Sequence, residues 1–137
     1  MYSIGELSRR TGVKVPTIRY YEQVGLLGAP ERTEGNQRRY AGAELDRLSF
    51  IRHARDLGIG INAIRELIDL SGHPERPCAE ADRIAADQLA AVRERIGRLR
   101  RLERELERIC SCCSGENVGD CYVLRALGDH ALCSDAH

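Results

Sequence analysis

Residues 79–109, AEADRIAADQLAAVRERIGRLRRLERELERI, contain no proline and a single glycine, Gly97. Ala, Leu, Arg and Glu dominate the stretch, and all four favour helix. Apolar residues recur every three or four positions, at Ala85, Leu89, Val92, Ile96, Leu99, Leu102, Leu106 and Ile109. This spacing is typical of a coiled-coil seam with one stammer, on a helix about 45 Å long. A chain of 137 residues is too small to cover that helix, so we expect the seam to meet a second copy. The alternative is a solvated single helix packed on its own domain.

Cysteines flank both ends of this predicted helix. Cys78 precedes it, and Cys110, Cys112, Cys113 and Cys121 follow it. Within one chain Cys78 and Cys113 would lie about 50 Å apart, too far to share a ligand. In an antiparallel pair of helices, Cys78 of one subunit would lie beside Cys113 and Cys121 of the other. The spacing therefore predicts a homodimer with two thiol sites shared between subunits.

The composition narrows the class of protein. Charged residues make up 31% of the chain, and their charges cancel to a net charge of zero. This balance argues against a protein that binds nucleic acid non-specifically through an overall positive charge. Up to Asp56, however, ten basic residues face seven acidic ones, so a local basic surface is possible. We find no signal peptide and no apolar run of about 20 residues, and we expect a cytoplasmic protein without membrane association. Six cysteines in a reducing compartment favour metal or redox chemistry over a disulfide framework.

The first 25 residues predict a helix-turn-helix. Ser3 and Glu6 have the spacing of a capping box, and Gly12 ends the first helix. The second helix begins near Pro16 and ends at Gly25. Its exposed side carries residue types that bind phosphates and base edges, Lys14, Thr17, Arg19 and Tyr20. The alternative is an ordinary helical hairpin with solvated side chains.

Residues 26–40, LLGAPERTEGNQRRY, alternate turn formers with short apolar pieces. We predict a β-hairpin, or wing, that carries Arg32, Arg38, Arg39 and Tyr40 toward a DNA backbone, against the alternative of a solubilising loop. Two further helices follow, one ending at Gly58 with Leu45, Leu48, Phe50, Ile51, Ala54 and Leu57 on its apolar side, and one over residues 61–71.

The predicted fold class is mainly α. The expected organisation is a winged helix-turn-helix with a helical pair over residues 1–72, a linker over 73–78, an antiparallel coiled-coil dimerisation helix over 79–109, a cysteine-bearing loop and short helix over 110–128, and a tail over 129–137. The short helix is expected over residues 122–127, directly after Cys121.

Residues 3–27, SIGELSRRTGVKVPTIRYYEQVGLL, followed by a wing that ends in RRY, resemble the mercury-resistance regulator (MerR) family of bacterial transcription factors. The resemblance extends over the whole chain. It implies a cytosolic homodimer, not an enzyme, on a palindromic promoter whose RNA polymerase recognition boxes are too far apart. Effector binding in such proteins bends and untwists the DNA. By position, the resemblance implies DNA contacts from Thr17, Arg19, Tyr20, Arg38 and Tyr40.

The resemblance also implies a metal site. Cys78, Cys113 and Cys121 match ligand positions of the metal-sensing branch, where a cysteine at the first position goes with divalent ions: zinc, cadmium, lead or mercury. Three thiolates around a divalent ion leave a net charge of −1, which is easier to bury than the −2 left by a monovalent ion. Zinc prefers four ligands, and Cys112 or His130 could supply the fourth. The expected target is a promoter for metal resistance or efflux.

Three other interpretations of the cysteines stay open. Cys110 and Cys113 form a C-x-x-C pair, but such redox motifs normally follow a strand in a βαβ unit, and none is readable here. Cys110, Cys113, Cys121 and Cys133 could form an intrachain structural zinc site, which leaves Cys78 unexplained. The same DNA-binding fold could also act as a thiol oxidation sensor.

Overall fold

The computed structural model describes residues 1–112 and 117–129. Helices α1 (Ile4–Thr11) and α2 (Val15–Gln23) come first, followed by strands β1 (Glu31–Arg32) and β2 (Arg38–Arg39). Helices α3 (Gly42–Asp56), α4 (Ile61–Ser71) and α5 (Ala79–Ser111) follow, and then a 3-10 turn (Val118–Asp120) and helix α6 (Tyr122–Gly128). The chain divides into two compact units, Met1–Ile84 and Ala85–His137, so the boundary falls within α5. No helix in the described ranges is both long and apolar enough to cross a bilayer.

Local backbone chemistry sets the turn between α1 and α2. The Ser3 hydroxyl accepts a hydrogen bond from the Glu6 amide at 3.1 Å, as the predicted capping box requires. Gly12 ends α1 in the left-handed region with φ +74°, where a side chain is disfavoured. Arg52 of α3 donates a hydrogen bond to the Thr11 carbonyl and ties this turn to the third helix. The predicted helix-turn-helix is therefore confirmed.

The core of the first unit lies where α1, α2 and α3 meet. Its members are Leu7, Val13, Ile18, Tyr21, Leu26, Leu27, Tyr40, Leu48, Ile51, Ala54, Ile59, Ile64 and Ile84. Two residues that we placed on the apolar side of α3 lie outside it: Leu57 is 67% exposed and Phe50 is 39% exposed. Leu57 is the residue after the last helical turn, and Ile59 takes the inner position instead. Phe50 precedes the buried Ile51, so it points about 100° away from the core.

The predicted wing is a two-stranded antiparallel sheet. Glu31 pairs with Arg39 and Arg32 with Arg38, and Asn36 turns the chain with φ +61°. The N-terminus is bridged to the residue after β2, because Tyr2 and Tyr40 exchange two backbone hydrogen bonds of 2.8 Å.

The long helix α5 runs without interruption from Ala79 to Ser111, which corresponds to about 50 Å. It begins one residue after Cys78, as predicted, and ends two residues later than predicted. Four large residues of the predicted seam are exposed in the single chain: Leu89 is 49%, Ile96 is 42%, Leu99 is 59% and Leu106 is 60% exposed. Val92 and Leu102, which lie between them, are half-buried. Ile109, near the end of the seam, is buried.

We expect Gly12→Ala to destabilise the protein. A side chain at φ +74° costs about 1–2 kcal/mol, and the new Cβ would also overlap the Arg52 guanidinium. Gly42→Ala is the matched control, because Gly42 has an ordinary φ and open space around its Cβ position. That control should be neutral or stabilising by about 0.4–1 kcal/mol. Urea unfolding of both variants tests the turn, and equal stabilities for the two would contradict its assignment.

Candidate nucleic-acid interface and metal centre

Helix α2 separates a buried side from a solvent side. It buries Ile18 and Tyr21 in the core. The polar side carries the four predicted DNA contacts. Lys14, Arg19 and Tyr20 are exposed, and Thr17 is half-buried. Lys14 is also the N-cap residue of α2, and no side-chain hydrogen bond caps the helix at this position. The surface can therefore offer two cations, a hydroxyl and a phenol ring to one ligand.

The wing joins α2 through a partly buried polar contact. The hydroxyl of the fully buried Tyr40 donates a hydrogen bond to the Glu22 carboxylate. Arg38 Nη1 lies 3.8 Å from the same carboxylate, and this nitrogen is buried without a hydrogen-bond partner among the described residues. Glu22 therefore attaches the last turn of α2 to strand β2, and the rest of the Arg38 side chain remains partly exposed.

Burial distinguishes Tyr40 from the other residues that we predicted to contact DNA. Desolvation, followed by the Glu22 hydrogen bond, raises the pKa of Tyr40 well above its ordinary value, so its hydroxyl stays protonated. With its ring in the core and its hydroxyl bound to Glu22, Tyr40 holds the wing in place, and its contact with DNA stays a prediction. The position of Tyr40 beside two arginines gave no sign that it is a core residue.

The other wing arginines shape the hairpin. Arg32 is exposed and donates to the backbone and side-chain oxygens of Asn36 at 3.4 and 3.3 Å. Arg39 donates to the Gln37 side chain at 3.4 Å. These weak exposed contacts leave the guanidinium groups accessible at the hairpin.

Cys78 is exposed at the start of α5. Its thiol donates to Asp82 Oδ2 across one helical turn, with a separation of 3.6 Å. It also lines an apolar recess of about 280 Å³ with Phe50, Leu67 and Pro77. The thiol therefore lies between a carboxylate and an apolar surface.

The remaining described thiols cluster in sequence at the other end of α5. Cys110 and Cys112 are exposed, and Cys121 is half-buried directly before α6. The predicted ligand Cys113 lies outside the described residues, as do Cys133 and His130. Within residues 1–112 and 117–129 of one chain, no three Cys, His, Asp or Glu side chains are grouped closely enough to hold a metal ion.

A polar network connects the end of α5 to α6. Glu105 is buried at 4% exposure, and Arg108 donates to both of its carboxylate oxygens. Arg108 Nη1 also donates to the Tyr122 hydroxyl at 2.5 Å. The hydrogen bonds to Glu105 and then to Tyr122 raise the pKa of Arg108 above its ordinary value. Since Tyr122 follows Cys121, this network fixes the chain next to a predicted ligand.

Comparison with known proteins identifies the family. Residues 2–71 match the family described as MerR HTH family regulatory protein, and residues 45–109 match the family described as MerR, DNA binding. The chain belongs to the MerR family. It is a DNA-binding transcriptional regulator and not an enzyme.

The MerR relatives match over nearly their full length. The HTH-type transcriptional regulator ZntR of Escherichia coli is 41% identical over 130 residues, which cover 93% of this chain and 92% of that protein. A mercuric resistance operon regulatory protein of Bacillus cereus is 33% identical, with 92% and 96% covered. The lead(II) complex of the transcription regulator PbrR691 from Ralstonia metallidurans superposes with a TM-score of 0.79 at 38% identity, covering 93% and 99%.

Sequence reasoning missed the residues that hold this MerR chain's candidate sites together. Glu22 and Tyr40 are 18 positions apart, and Arg52 is 41 positions from Thr11, whose carbonyl accepts its hydrogen bond. No pattern in the sequence marks such pairs. The three-residue spacing of Glu105 and Arg108 was a visible signal for an ion pair on one helix face. Nothing in the sequence marked Glu105 as buried.

We expect Tyr40→Phe to alter stability in a pH-dependent way. At neutral pH it removes one hydrogen bond, which costs about 0.5–1.5 kcal/mol. Because the folded pKa of Tyr40 is raised, its contribution is complete below pH 10.0, the ordinary tyrosine value, and falls as the pH rises beyond it. Tyr40→Phe should therefore lose less stability than the wild type between neutral pH and pH 11. The upper pH is about one unit above the ordinary pKa of tyrosine.

Urea unfolding at both pH values measures this difference. Tyr20→Phe is the matched control, since Tyr20 is 45% exposed, and this variant should follow the wild type. Equal alkaline losses in the wild type and Tyr40→Phe would show that the buried hydroxyl does not control the pH response.

Proposed function

We propose that this MerR-family regulator is a homodimer that senses a soft divalent metal ion through cysteine thiolates and activates a metal resistance or efflux promoter by distorting operator DNA. The observation that supports it best is helix α5, which carries an exposed apolar seam and has thiols before its start and after its end. Relatives named for mercuric resistance and a related structure with lead(II) favour a metal effector of this kind.

The exposed seam supports dimerisation. Leu89, Ile96, Leu99 and Leu106 recur at coiled-coil spacing and remain exposed in the single chain. Full burial of each such side chain stabilises an interface by about 1.5–3 kcal/mol. An antiparallel partner would cover them and bring the first thiol of one helix to the last thiols of the other, whereas a parallel partner would keep the two thiol groups about 50 Å apart.

The donor set suits a soft ion. Cys78, Cys113 and Cys121 would supply three thiolates, and Cys112 is an exposed candidate for a fourth. Soft thiolates select zinc, cadmium, lead and mercury over calcium or magnesium. Lead or mercury would accept three ligands, whereas zinc would require the fourth. Asp82, beside Cys78, adds a hard oxygen donor next to the first thiol.

The DNA surface would consist of α2 and the wing. Lys14, Thr17 and Arg19 provide a hydroxyl and positive charges for phosphates, Tyr20 adds an exposed ring, and Arg38 extends the surface to the wing. Tyr40 supports Arg38 through Glu22. Metal binding in a rigid dimer would change the separation of its two DNA-binding units, bend the operator and bring the RNA polymerase recognition boxes into register.

We expect Arg19→Ala to weaken operator binding without preventing dimerisation. The loss of one phosphate contact should reduce the slope of log affinity against log salt by about one. Arg47→Ala is the matched control, because it removes the same exposed charge from α3. Binding titrations at several salt concentrations test this expectation. Wild-type affinity and slope in Arg19→Ala would remove that residue from the interface.

Mixed dimers test whether the metal site is shared between subunits. One chain carries Cys78→Ser, and the other carries Cys113→Ser and Cys121→Ser. Each homodimer should bind metal poorly under anaerobic, reducing conditions, because every site lacks at least one thiolate. The heterodimer should regain one tight site, since one end combines intact Cys78 with intact Cys113 and Cys121.

Two outcomes would contradict this arrangement. Full metal binding by the Cys78→Ser homodimer would favour an intrachain site at Cys110, Cys113, Cys121 and Cys133. Activation of transcription by an oxidant alone, with no response to metal in the absence of oxygen, would favour a thiol oxidation sensor.

A further inference from the structure

We propose that Arg108 and Tyr122, held by the buried carboxylate of Glu105, are positioning residues that orient Cys121 for metal binding. This inference rests on the proposed function, in which Cys121 is a ligand. The network lies entirely within the second compact unit and within residues that the structure describes.

Burial of Glu105 determines where Arg108 points. A carboxylate at 4% exposure needs a charged partner, and Arg108 meets that need with hydrogen bonds to both oxygens. A planar guanidinium that is bound on one side has its remaining donors directed along fixed lines. One of these donors reaches the Tyr122 hydroxyl at 2.5 Å. The contact is therefore directional, because the carboxylate has already fixed the guanidinium plane.

Two arginines, Arg108 and Arg125, lie against the ring of Tyr122. The Arg108 Cζ atom lies 5.6 Å from the centroid of the Tyr122 ring, and the Arg125 Cζ atom lies 5.8 Å from it. Both separations are within the range of cation–π attraction. Tyr122 is thus held at its hydroxyl and at its ring, whereas the apolar attachment of α6 is small: Ala126 is buried, but Leu124 and Leu127 are exposed.

Restraint of Tyr122 restrains Cys121, because the two residues are consecutive. Cys121 is the residue before α6, and its carbonyl accepts a hydrogen bond from the Arg125 amide at 3.2 Å. A thiolate on a restrained backbone loses less conformational freedom when it binds a metal. Groups that orient metal ligands without touching the metal typically raise affinity by about 10–100-fold. The network therefore holds Cys121 in an orientation that helix α6 alone would not maintain.

The experiment measures cadmium affinity of the full-length protein, by competition with a chelator under anaerobic, reducing conditions. Tyr122→Phe keeps the ring and removes only the hydroxyl that accepts from Arg108. Arg108→Lys keeps the charge but loses the planar fork. Each should weaken cadmium binding by about tenfold or more. The matched controls are Tyr2→Phe, a tyrosine of the first unit, and Arg104→Lys, an exposed arginine of the same helix, and both should bind as the wild type does.

A Cys121→Ser background separates positioning from a general structural effect. If Tyr122 acts through Cys121, Tyr122→Phe should have no further effect on cadmium affinity once that thiolate is gone. An equal weakening in both backgrounds would overturn the proposal. Wild-type affinity in Tyr122→Phe and Arg108→Lys, with weaker binding in Cys121→Ser, would also overturn it while leaving Cys121 as a ligand. Unchanged affinity in Cys121→Ser would instead overturn the ligand assignment itself.

Discussion

The length of helix α5 is the constraint on which the rest of this protein depends. Thirty-three consecutive helical residues form a helix of about 50 Å, and four large apolar side chains of its seam remain exposed in the single chain. Exposed leucine and isoleucine at coiled-coil spacing favour association. In the proposed function, a thiol site that includes both Cys78 and the thiols after the helix is shared between two chains. One geometric fact thus supports both the proposed dimer and the proposed shared site.

Two carboxylates, the half-buried Glu22 and the buried Glu105, have similar roles at the two candidate sites. Glu22 accepts a hydrogen bond from Tyr40 and lies near Arg38, so the wing is held against the end of α2. Glu105 binds Arg108, which in turn binds Tyr122 beside Cys121. In each case an acid with little solvent access orients an arginine and a tyrosine. A hydrogen bond in such surroundings is costly to leave unmade, which makes these contacts more directional than the apolar packing around them.

This arrangement separates two tasks among the side chains. The exposed residues Lys14, Arg19 and Tyr20 are available to a ligand, and the buried Tyr40 with the half-buried Glu22 determines where the wing lies. Cys78, Cys112 and Cys121 offer sulfur, and the polar network fixes the backbone next to the last of them. Substitutions in the first group should change what is bound, whereas substitutions in the second should change how well the binding groups are placed.

The sequence by itself determined the order and kind of the local elements. Capping by Ser3, the left-handed Gly12, Pro16 in the first turn of α2 and the heptad spacing of α5 each depend on residues a few positions apart, and each appears where the pattern predicts it. The family and its DNA-binding role also follow from local motifs such as TIRYYE. Only the tertiary structure decided that Tyr40 is a core residue, that Leu57 and Phe50 leave the apolar side of α3, and that Glu105 is buried. These outcomes depend on which side chains from distant positions fill the same space, and a hydrophobic or charge pattern along one helix carries no information about that competition.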